Sequence, residues 1–223
     1  MSGTSAGIAG ASRAVKLVLA THNAHKVDEL RRILGSALDG IELVRYEGPE
    51  PVEDGDTFEA NALLKARAAS AFTGLAAIAD DSGISVDALD GAPGIHSARY
   101  AGGRDDAANV ELLLRNLGAE ANRAAHFSCA AALVVPPPVG SVGPDGPADV
   151  AQSSEFVELG LWHGSVLLEP VGSGGFGYDP IFMPTGGSAS AAEMSADEKN
   201  AASHRALAFA ALMPTVRAQL LGE

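Results

Sequence analysis

Two adjacent carboxylates, Asp80 and Asp81, end a short apolar run and are followed by Ser82 and Gly83. An apolar run bounded by turn residues is typical of a buried strand, and Asp is a poor strand former, so the strand is expected to stop near Asp80. Neighbouring carboxylates beside buried surface repel each other and lose hydration unless a cation compensates. The pair is therefore a candidate Mg²⁺ site with one carboxylate available as a base, although an ordinary Asp-rich turn would give the same pattern.

Residues 21–26 form a second polar stretch, Thr-His-Asn-Ala-His-Lys, directly after an apolar, β-branched run. From Val27 onward, apolar residues recur with a helical period, so a strand, a polar turn and a helix are expected in that order. The first turn of such a helix presents free amide groups, which together with Lys26 could bind a phosphate. Capping of the helix by Asn23, with Lys26 in solvent, would account for the same residues equally well.

The glycine-rich loop at residues 172–179 is a third candidate, with four glycines in its first six positions. Glycines let the backbone approach a ligand closely, and the rings of Phe176 and Tyr178 could stack on a nucleobase. Asp179 would then offer an acceptor to the edge of the base. A glycine-rich hairpin loop with two packed aromatic side chains is the alternative.

The elements that must position these residues alternate between strands and helices. Predicted strands lie near residues 15–20, 41–44, 76–80, 124–135 and 150–162, and predicted helices near 27–34, 57–74, 106–117 and 203–220. The apolar run at 124–135 and the alternating segment after it suit antiparallel pairing, so we expect an α/β fold with a mixed central sheet flanked by helices.

Four local sequence patterns predict details of turns and helix faces. His163 and Gly164 predict a turn that ends the preceding strand. On the helix near 57–74, Glu59, Asn61 and Lys65 do not share one tight face, and each suits a solvated position. At the start of the last helix, two residues could contact a ligand or form a solvated first turn: His204 and Arg205. The buried side of that helix is expected to comprise Ala206, Phe209, Ala210, Met213 and Leu220.

Composition limits the possible partners and compartments. The chain of 223 residues carries a net charge of -13, which argues against a general duplex nucleic-acid binder. It has a single cysteine, Cys129, so no internal disulfide is possible and a reducing cytoplasm is the expected location. No apolar run approaches the roughly 18 residues of a membrane span, so no membrane contact is expected. Residues 1–14 are small and polar, which predicts a flexible extension.

Six motifs stand in a fixed order along the chain, at residues 21–26, 57–67, 79–83, 91–100, 174–180 and 203–205. Together they resemble the inosine triphosphate pyrophosphatase family, which in bacteria acts on non-standard purine nucleoside triphosphates. The chain departs from the family pattern at His22 and His25, which occupy variable places, and at His96, where an aromatic hydroxyl is common. The Pro/Gly-rich insert at 136–150 is also longer than usual.

The resemblance implies an elongated α/β fold over residues 15–223, with two lobes around a cleft, and a homodimer. It implies Mg²⁺-dependent hydrolysis of ITP, dITP and XTP to the monophosphate and pyrophosphate, which would remove these nucleotides from the cellular pool. The expected partner is therefore a small nucleotide rather than a nucleic acid or a membrane.

The resemblance also assigns site residues. It implies that Asp81 is the catalytic acceptor and a metal ligand, that Glu53 or its neighbour Asp54 is a second metal ligand, and that Lys65 lies near the phosphates. The attacking water would lie near Asp80 or Asp81. The implied substrate contacts are Thr21, His22, Asn23, Ala24, His25 and Lys26 for the triphosphate, and Ser82, Phe176, Gly177, Tyr178, Asp179, Lys199, His204 and Arg205 for the remainder of the nucleotide.

Substrate selectivity is expected to depend on position 6 of the purine. Donors such as Lys199, Arg205 or loop amides satisfy the carbonyl of ITP and XTP, but the amino group of ATP would face unpaired donors. Two other classes compete: a pyrophosphatase for modified pyrimidines and a non-catalytic nucleotide sensor. An aspartyl phosphatase fits poorly, because it needs its Asp residues two positions apart and Asp80 and Asp81 are adjacent.

Overall fold

The structure is a computed structural model that describes residues 14–137 and 153–223. The predicted N-terminal extension, apart from its last residue, and most of the predicted insert at 136–150 lie outside the described residues.

A mixed six-stranded sheet forms the centre of the described part, with strand order β2-β1-β3-β4-β5-β6. The strands are β1 Val15–Leu19, β2 Ile41–Arg45, β3 Ala76–Val86, β4 Ala124–Val135, β5 Ser154–Val166 and β6 Phe182–Pro184. β1 pairs in parallel with β2 and β3, whereas β3, β4, β5 and β6 pair antiparallel in succession. The predicted mixed α/β sheet is therefore confirmed.

Five α-helices occur in the described ranges. They are α1 Ala24–Leu34, α2 Phe58–Thr73, α3 Asp106–Leu117, α4 Ala196–Ala202 and α5 His204–Leu221. Side chains of Thr57, Asp105 and Ser203 accept hydrogen bonds from the free first-turn amides of α2, α3 and α5. Within the described ranges, no helix has both the length and the apolar character needed to cross a membrane.

The core divides into clusters that correspond to two lobes. In the first lobe, α1 and α5 cover one face of the sheet, and α2 covers the other through small residues that allow close packing, such as Ala62 and Ala66. In the second lobe, α3 packs through Val110 and Leu113 on the far ends of the long strands, together with Phe182. Because β3, β4 and β5 are 11 to 13 residues long, they run through both lobes and join them.

Strand β3 is longer than the sequence predicted. The expectation that it stops near Asp80 is wrong, because β3 continues to Val86 and pairs with β4 along that length. Asp80 lies opposite Ala131 and Asp81 opposite Ala130. Basic side chains compensate both carboxylates, which offsets the usual cost of Asp in a buried strand. The carboxylate pair therefore has a backbone fixed by pairing rather than by a turn.

The expected turn at residues 163–164 is also wrong, because β5 continues to Val166 and Gly164 lies opposite Pro184 of β6. A Cβ on Gly164 would overlap the main-chain oxygen of Met183. The glycine is therefore needed for close approach of two strands, and a turn is not its role.

Helix α5 buries the apolar side that was predicted, with one exception. Ala206, Phe209 and Met213 are buried and Leu220 is partly buried, whereas Ala210 is exposed because it lies beyond the edge of the apolar stripe.

The N-terminal turn of α5 lies directly on strand β5 at Gly160. A Cβ at this position would overlap the main-chain oxygen of His204 and would lie 2.5 Å from the amide nitrogen of Ala208. Only glycine leaves room for this main-chain contact, which fixes the start of α5 against the sheet.

Candidate active site

A cavity of about 840 Å³ lies where the two lobes meet. It brings together most of the side chains that the sequence assigned to a site. These are Thr21, His22, Asn23, Lys26, Glu53, Lys65, Asp81, Ser82, Phe176, Gly177, Tyr178, Asp179, Lys199, His204 and Arg205. Asp80 is not part of the lining. The side chains of Ala24 and His25 lie outside the described residues, although their backbone begins α1.

One end of the cavity, hereafter the acidic end, is centred on Lys65. Its ammonium nitrogen lies 2.9 Å from Asp81 Oδ1 and 3.3 Å from Glu53 Oε1. Burial raises the pKa of Asp81, and the charge of Lys65 opposes that rise without cancelling it. Burial lowers the pKa of Lys65, but the charges of Asp81, Asp80 and Glu53 outweigh it and leave the pKa raised. Lys65 is therefore protonated, and Asp81 has a higher proton affinity than an exposed carboxylate.

Asp80 lies beneath the lining and pairs with two cations through one carboxylate oxygen. Its Oδ2 atom lies 2.8 Å from Lys26 Nζ and 3.2 Å from Arg205 Nε. Burial raises the pKa of Asp80, but the charges of Lys26, Arg205 and Lys65 together hold it well below its usual value. Its Oδ1 atom is buried and has no hydrogen-bond partner among the described residues.

The start of α1 supplies the triphosphate candidates. Asn23 Oδ1 accepts a hydrogen bond from the Lys26 amide at 3.3 Å, so the predicted cap is present. The Lys26 side chain is mostly buried on Asp80, which excludes the alternative in which it is solvated. Asn23 therefore caps α1, and Lys26 at the same time contributes a positive charge to the cavity wall.

The loop at residues 47–56 is tied down at both ends, which positions Glu53. Tyr46 donates its hydroxyl to Pro49 O at 2.9 Å, and His22 Nε2 lies 3.0 Å from Gly48 O. At the other end, Asn61 Oδ1 accepts from the Gly55 amide at 2.9 Å.

Two polar positions on α2 are buried rather than solvated. Sequence patterning suited Asn61 and Lys65 to solvated positions, although the family resemblance placed Lys65 near the phosphates, and the structure buries both. They are four residues apart and therefore lie on the same face of α2, where Asn61 fixes the loop and Lys65 enters the cavity. A spacing of four between Asn61 and Lys65 in an apolar helix was the signal that could have identified Asn61.

The other end of the cavity, hereafter the base end, is formed by the glycine-rich loop and two cations. Asp179 Oδ2 accepts hydrogen bonds from Lys199 Nζ at 2.6 Å and from the Phe176 amide at 2.8 Å. The ring centroid of Phe176 lies 5.2 Å from Lys199 Nζ and 5.7 Å from the guanidinium carbon of Arg205. A flat aromatic ring beside two fixed donors can both stack on a base and hydrogen-bond to its edge.

His204 contributes an apolar, uncharged surface to the base end. It is buried and stacked on Phe127, with ring centroids 4.7 Å apart and planes at 10°. Burial lowers the pKa of His204 well below its usual value, and the neighbouring charges of Arg205 and Lys199 lower it further. The imidazole is therefore neutral at physiological pH.

Comparison with known proteins identifies the family. Residues 17–215 match the sequence model of the Ham1 family. The chain belongs to the Ham1 family. A relative from Leifsonia xyli subsp. xyli, named dITP/XTP pyrophosphatase, is 52% identical over 92% of this chain and 96% of its own length. One from Streptomyces coelicolor with the same name is 49% identical over 93% of this chain and 99% of its own length.

Solved structures of Ham1 proteins share the fold. The Staphylococcus aureus Ham1 protein is 33% identical, with a TM-score of 0.75 over 92% of this chain and 99% of that one. The dITP/XTP pyrophosphatase of Mycobacterium abscessus is 45% identical, with a TM-score of 0.67 over 90% of this chain and 100% of that one. The family predicted from the six motifs is confirmed.

The sequence did not single out Glu29, which in this Ham1 protein pairs with both cations of the base end. Its Oε2 atom lies 2.6 Å from Arg205 Nη1, and Lys199 Nζ lies 3.8 Å from Oε1. Arg205 also donates to Ser82 Oγ at 2.9 Å. Glu29 follows Lys26 by three residues and so lies on the same face of α1, which was the available signal.

Charges in the cavity of this Ham1 protein favour an added cation. Its acidic lining side chains are Glu50, Glu53, Asp81, Asp105, Asp106 and Asp179, and its basic ones are Lys26, Lys65, Arg104, Lys199 and Arg205. Because the acidic side chains are at least as numerous as the basic ones, the cavity has no surplus of positive charge to neutralise a triphosphate. An added cation would supply that charge.

The donor set at the acidic end suits Mg²⁺. Glu53 and Asp81 contact the same ammonium group, so their oxygens lie near each other at the cavity wall. No group of three or more metal-binding side chains occurs within the described ranges. Two carboxylates, completed by phosphate oxygens and water, are the set that Mg²⁺ commonly uses at nucleotide sites.

Proposed function

We propose that this Ham1-family chain hydrolyses non-standard purine nucleoside triphosphates, namely ITP, dITP and XTP, to the monophosphate and pyrophosphate. The observation that carries the proposal is a single cavity with a lysine–carboxylate cluster at one end and a cation-flanked aromatic ring at the other. A triphosphate tail suits the first, and a purine suits the second. Relatives that align over nearly their whole length are named dITP/XTP pyrophosphatase.

Asp81 is the base in this proposal. Its side chain lines the cavity, retains some exposure, and has a raised pKa, so it can accept a proton from a water that attacks the α-phosphorus. Lys65 and Lys26 stabilise the negative charge on the phosphates. Asp80, which is fully buried and bears two cations, serves to hold Lys26 and Arg205 rather than to take a proton.

Mg²⁺ is the proposed cofactor, with Asp81 and Glu53 as its protein ligands. When bound, it would neutralise phosphate charge and make a coordinated water more acidic. The ligand assignment favours Glu53 over Asp54, because Glu53 lines the cavity and contacts Lys65, whereas Asp54 is exposed and does not line the cavity.

Base selection is proposed to depend on Lys199 and Arg205. Both are held close to Phe176 by carboxylates, so their positions are set before a nucleotide arrives. A 6-carbonyl would accept hydrogen bonds from these donors, whereas the 6-amino group of ATP would leave them unpaired. The amides of Phe176 and Gly177 already donate to Asp179 and Asp106, so the side chains are the better candidates for this contact.

A homodimer in the cytoplasm completes the proposal. Leu159 and Leu161 point to the same face of β5 and are 51% and 46% exposed, which suits contact with a second copy. The only thiol, Cys129, is buried and free, as expected in a reducing compartment. Light scattering on wild type and on Leu159→Ser/Leu161→Ser would test the dimer, since we expect the variant to be monomeric.

The deciding experiment is an assay of pyrophosphate release from ITP, dITP, XTP, ATP, GTP and dUTP, with and without Mg²⁺. We expect turnover of the first three but not of ATP or dUTP, and only with Mg²⁺. GTP shares the 6-carbonyl, so its exclusion would require a separate rejection of its 2-amino group. Equal turnover of ITP and ATP would contradict the selectivity argument. Preference for dUTP would favour the pyrimidine alternative, and tight nucleotide binding without pyrophosphate release would favour the sensor.

A further inference from the structure

The glycine-rich loop is held by residues that lie far from it in the sequence. Asp106 Oδ2 accepts a hydrogen bond from the Gly177 amide at 2.8 Å, across 71 residues. The Ser97 carbonyl accepts one from the Tyr178 hydroxyl at 2.8 Å, across 81 residues. The conformation of the loop is therefore set partly by the first turn of α3 and by the short 3₁₀ helix Gly94–Arg99 that precedes it.

Capping of α3 does not account for the orientation of Asp106. The cap is Asp105, whose Oδ1 atom accepts from the Ala108 amide at 3.1 Å. An acidic residue at the next position favours the helix through its charge alone and needs no directed partner. The carboxylate of Asp106 is nevertheless directed across the cavity lining onto one loop amide.

The segment that carries Asp106 is itself held in place. Asn109, one turn further along α3, is buried, accepts from the Ala101 amide at 2.7 Å and donates to Ala98 O at 3.3 Å. These bonds join the start of α3 to the end of the 3₁₀ helix. Asp106 therefore contacts the loop from a fixed position.

Gly177 has a φ of +60°, a conformation that L side chains rarely adopt, and Gly172 and Gly175 of the same loop also have positive φ. Its amide belongs to the peptide unit that follows Phe176. A hydrogen bond to that amide fixes the orientation of the peptide and hence the direction in which the Phe176 ring points.

We propose that Asp106 is a positioning residue that holds the glycine-rich loop in its base-binding conformation and so sets the affinity for the purine. The inference rests on the proposed function, because it takes the loop to be the base site. The Asp106 carboxylate acts through the oxygen that accepts the Gly177 hydrogen bond, and its negative charge contributes less to this role.

The test compares Asp106→Ala, which removes the acceptor, with Asp106→Asn, which keeps an acceptor oxygen but removes the charge. Glu111→Ala is the control, because it removes an exposed carboxylate from the same helix without touching the loop. The readouts are the Kd of inosine monophosphate by calorimetry, KM and kcat for dITP, and the inhibition constant of inorganic tripolyphosphate, which lacks a base. Because Asp106 is exposed at a helix start, all three variants are expected to fold.

We expect Asp106→Ala to weaken binding of inosine monophosphate and raise KM for dITP by about fivefold, the effect of one exposed hydrogen bond. kcat and tripolyphosphate inhibition should stay unchanged, and Asp106→Asn should restore wild-type affinity. Equal defects in the Ala and Asn variants would overturn the inference, because they would indicate a charge effect on α3. So would an unchanged Kd in the Ala variant, equally weakened tripolyphosphate inhibition, or a wild-type protein that does not bind inosine monophosphate.

Failure of the proposed function would look different. In that case wild type would release no pyrophosphate from dITP, whereas the dependence of inosine monophosphate binding on Asp106 would still decide the inference.

Discussion

The acidic end of the cavity is carried by regular elements, whereas the base end is carried mainly by a loop and the starts of helices. Asp80 and Asp81 belong to a strand that pairs along its length, and Lys65 comes from the middle of α2. At the base end, Phe176 and Asp179 belong to the glycine-rich loop. Except for Glu53, which comes from the loop at 47–56, the acidic end therefore takes its charged side chains from a paired strand and a helix, and the base end depends on hydrogen bonds that hold a loop. Changes at the first should affect turnover and stability, and changes at the second should affect binding.

The largest effect is expected from Asp81→Asn, which removes the proposed base. We expect kcat for dITP to fall by about a thousandfold, with the melting temperature little changed, because the amide is isosteric and remains partly exposed. Steady-state kinetics and circular dichroism would measure both. Asp87→Asn, an exposed position just beyond the end of β3, is the control. Turnover of the Asp81 variant within a few-fold of wild type would remove Asp81 from the chemistry.

The second effect is on stability. Asp80→Asn should lower the free energy of unfolding at pH 7 by about 3 kcal/mol, because it leaves the mostly buried charge of Lys26 without its carboxylate and leaves the buried Arg205 with Glu29 alone. Urea denaturation would measure this loss. Asp28→Asn, which changes an exposed carboxylate on α1, should shift it by less than about 0.5 kcal/mol.

The stability difference between wild type and Asp80→Asn should also depend on pH. Although burial raises the pKa of Asp80, neighbouring cations hold its folded-state pKa below the unfolded value. Ionised Asp80 therefore stabilises the fold above the unfolded pKa of about 3.9, and this contribution is lost as pH falls through the lower folded pKa. The difference should shrink below about pH 4. A difference that stayed constant from pH 7 to pH 3 would contradict the ion-pair explanation.

At the base end, Phe176→Ala should raise KM for dITP by about tenfold through the loss of stacking, with little change in kcat. Inhibition by tripolyphosphate should not change, because that ligand occupies only the acidic end. Leu168→Ala, which shortens an exposed side chain outside the cavity lining, is the control. Parallel losses for dITP and tripolyphosphate would show that the two ends are not separable in this way.

The smallest effect is expected at the rim, where Arg104 and Glu50 form an exposed ion pair at 3.2 Å. Glu50→Gln should change the free energy of unfolding by less than about 0.5 kcal/mol, since exposed pairs contribute little. A chemical denaturation curve would measure it. A larger loss of unfolding free energy would mean that this exposed ion pair also stabilises the acidic end of the cavity.

Local sequence signals singled out several side chains that the structure brings to the cavity or directly beneath it. A polar turn between an apolar run and a helical period identified Asn23 and Lys26, and adjacent carboxylates after an apolar run identified Asp81, which lines the cavity, and Asp80, which lies beneath it. The local conformation was predicted less well. Asp at position 80 indicated the end of a strand, and only the basic side chains brought to it from α1 and α5 explain why β3 continues.

Long-range partners explain what the sequence could not show. Glu29 resembles any polar residue on an amphipathic helix, and its partner Arg205 lies 176 residues away. Asp106 likewise looked like an ordinary residue at a helix start, because the amide that it binds comes after two further strands. The resemblance to a family supplied residue roles at both ends, but it did not supply the contacts that hold those residues.

The main-chain contact between Gly160 and the start of α5 has a consequence for behaviour in salt. Ion pairs weaken as ionic strength rises, but steric contact between main-chain atoms does not. His204 and Arg205 are the first residues of α5, and that contact fixes the start of α5 against the sheet. The surface at the start of α5, against which the purine would lie, should therefore keep its shape at high ionic strength. Electrostatic attraction between the cavity and the phosphates would already be weakened under the same conditions.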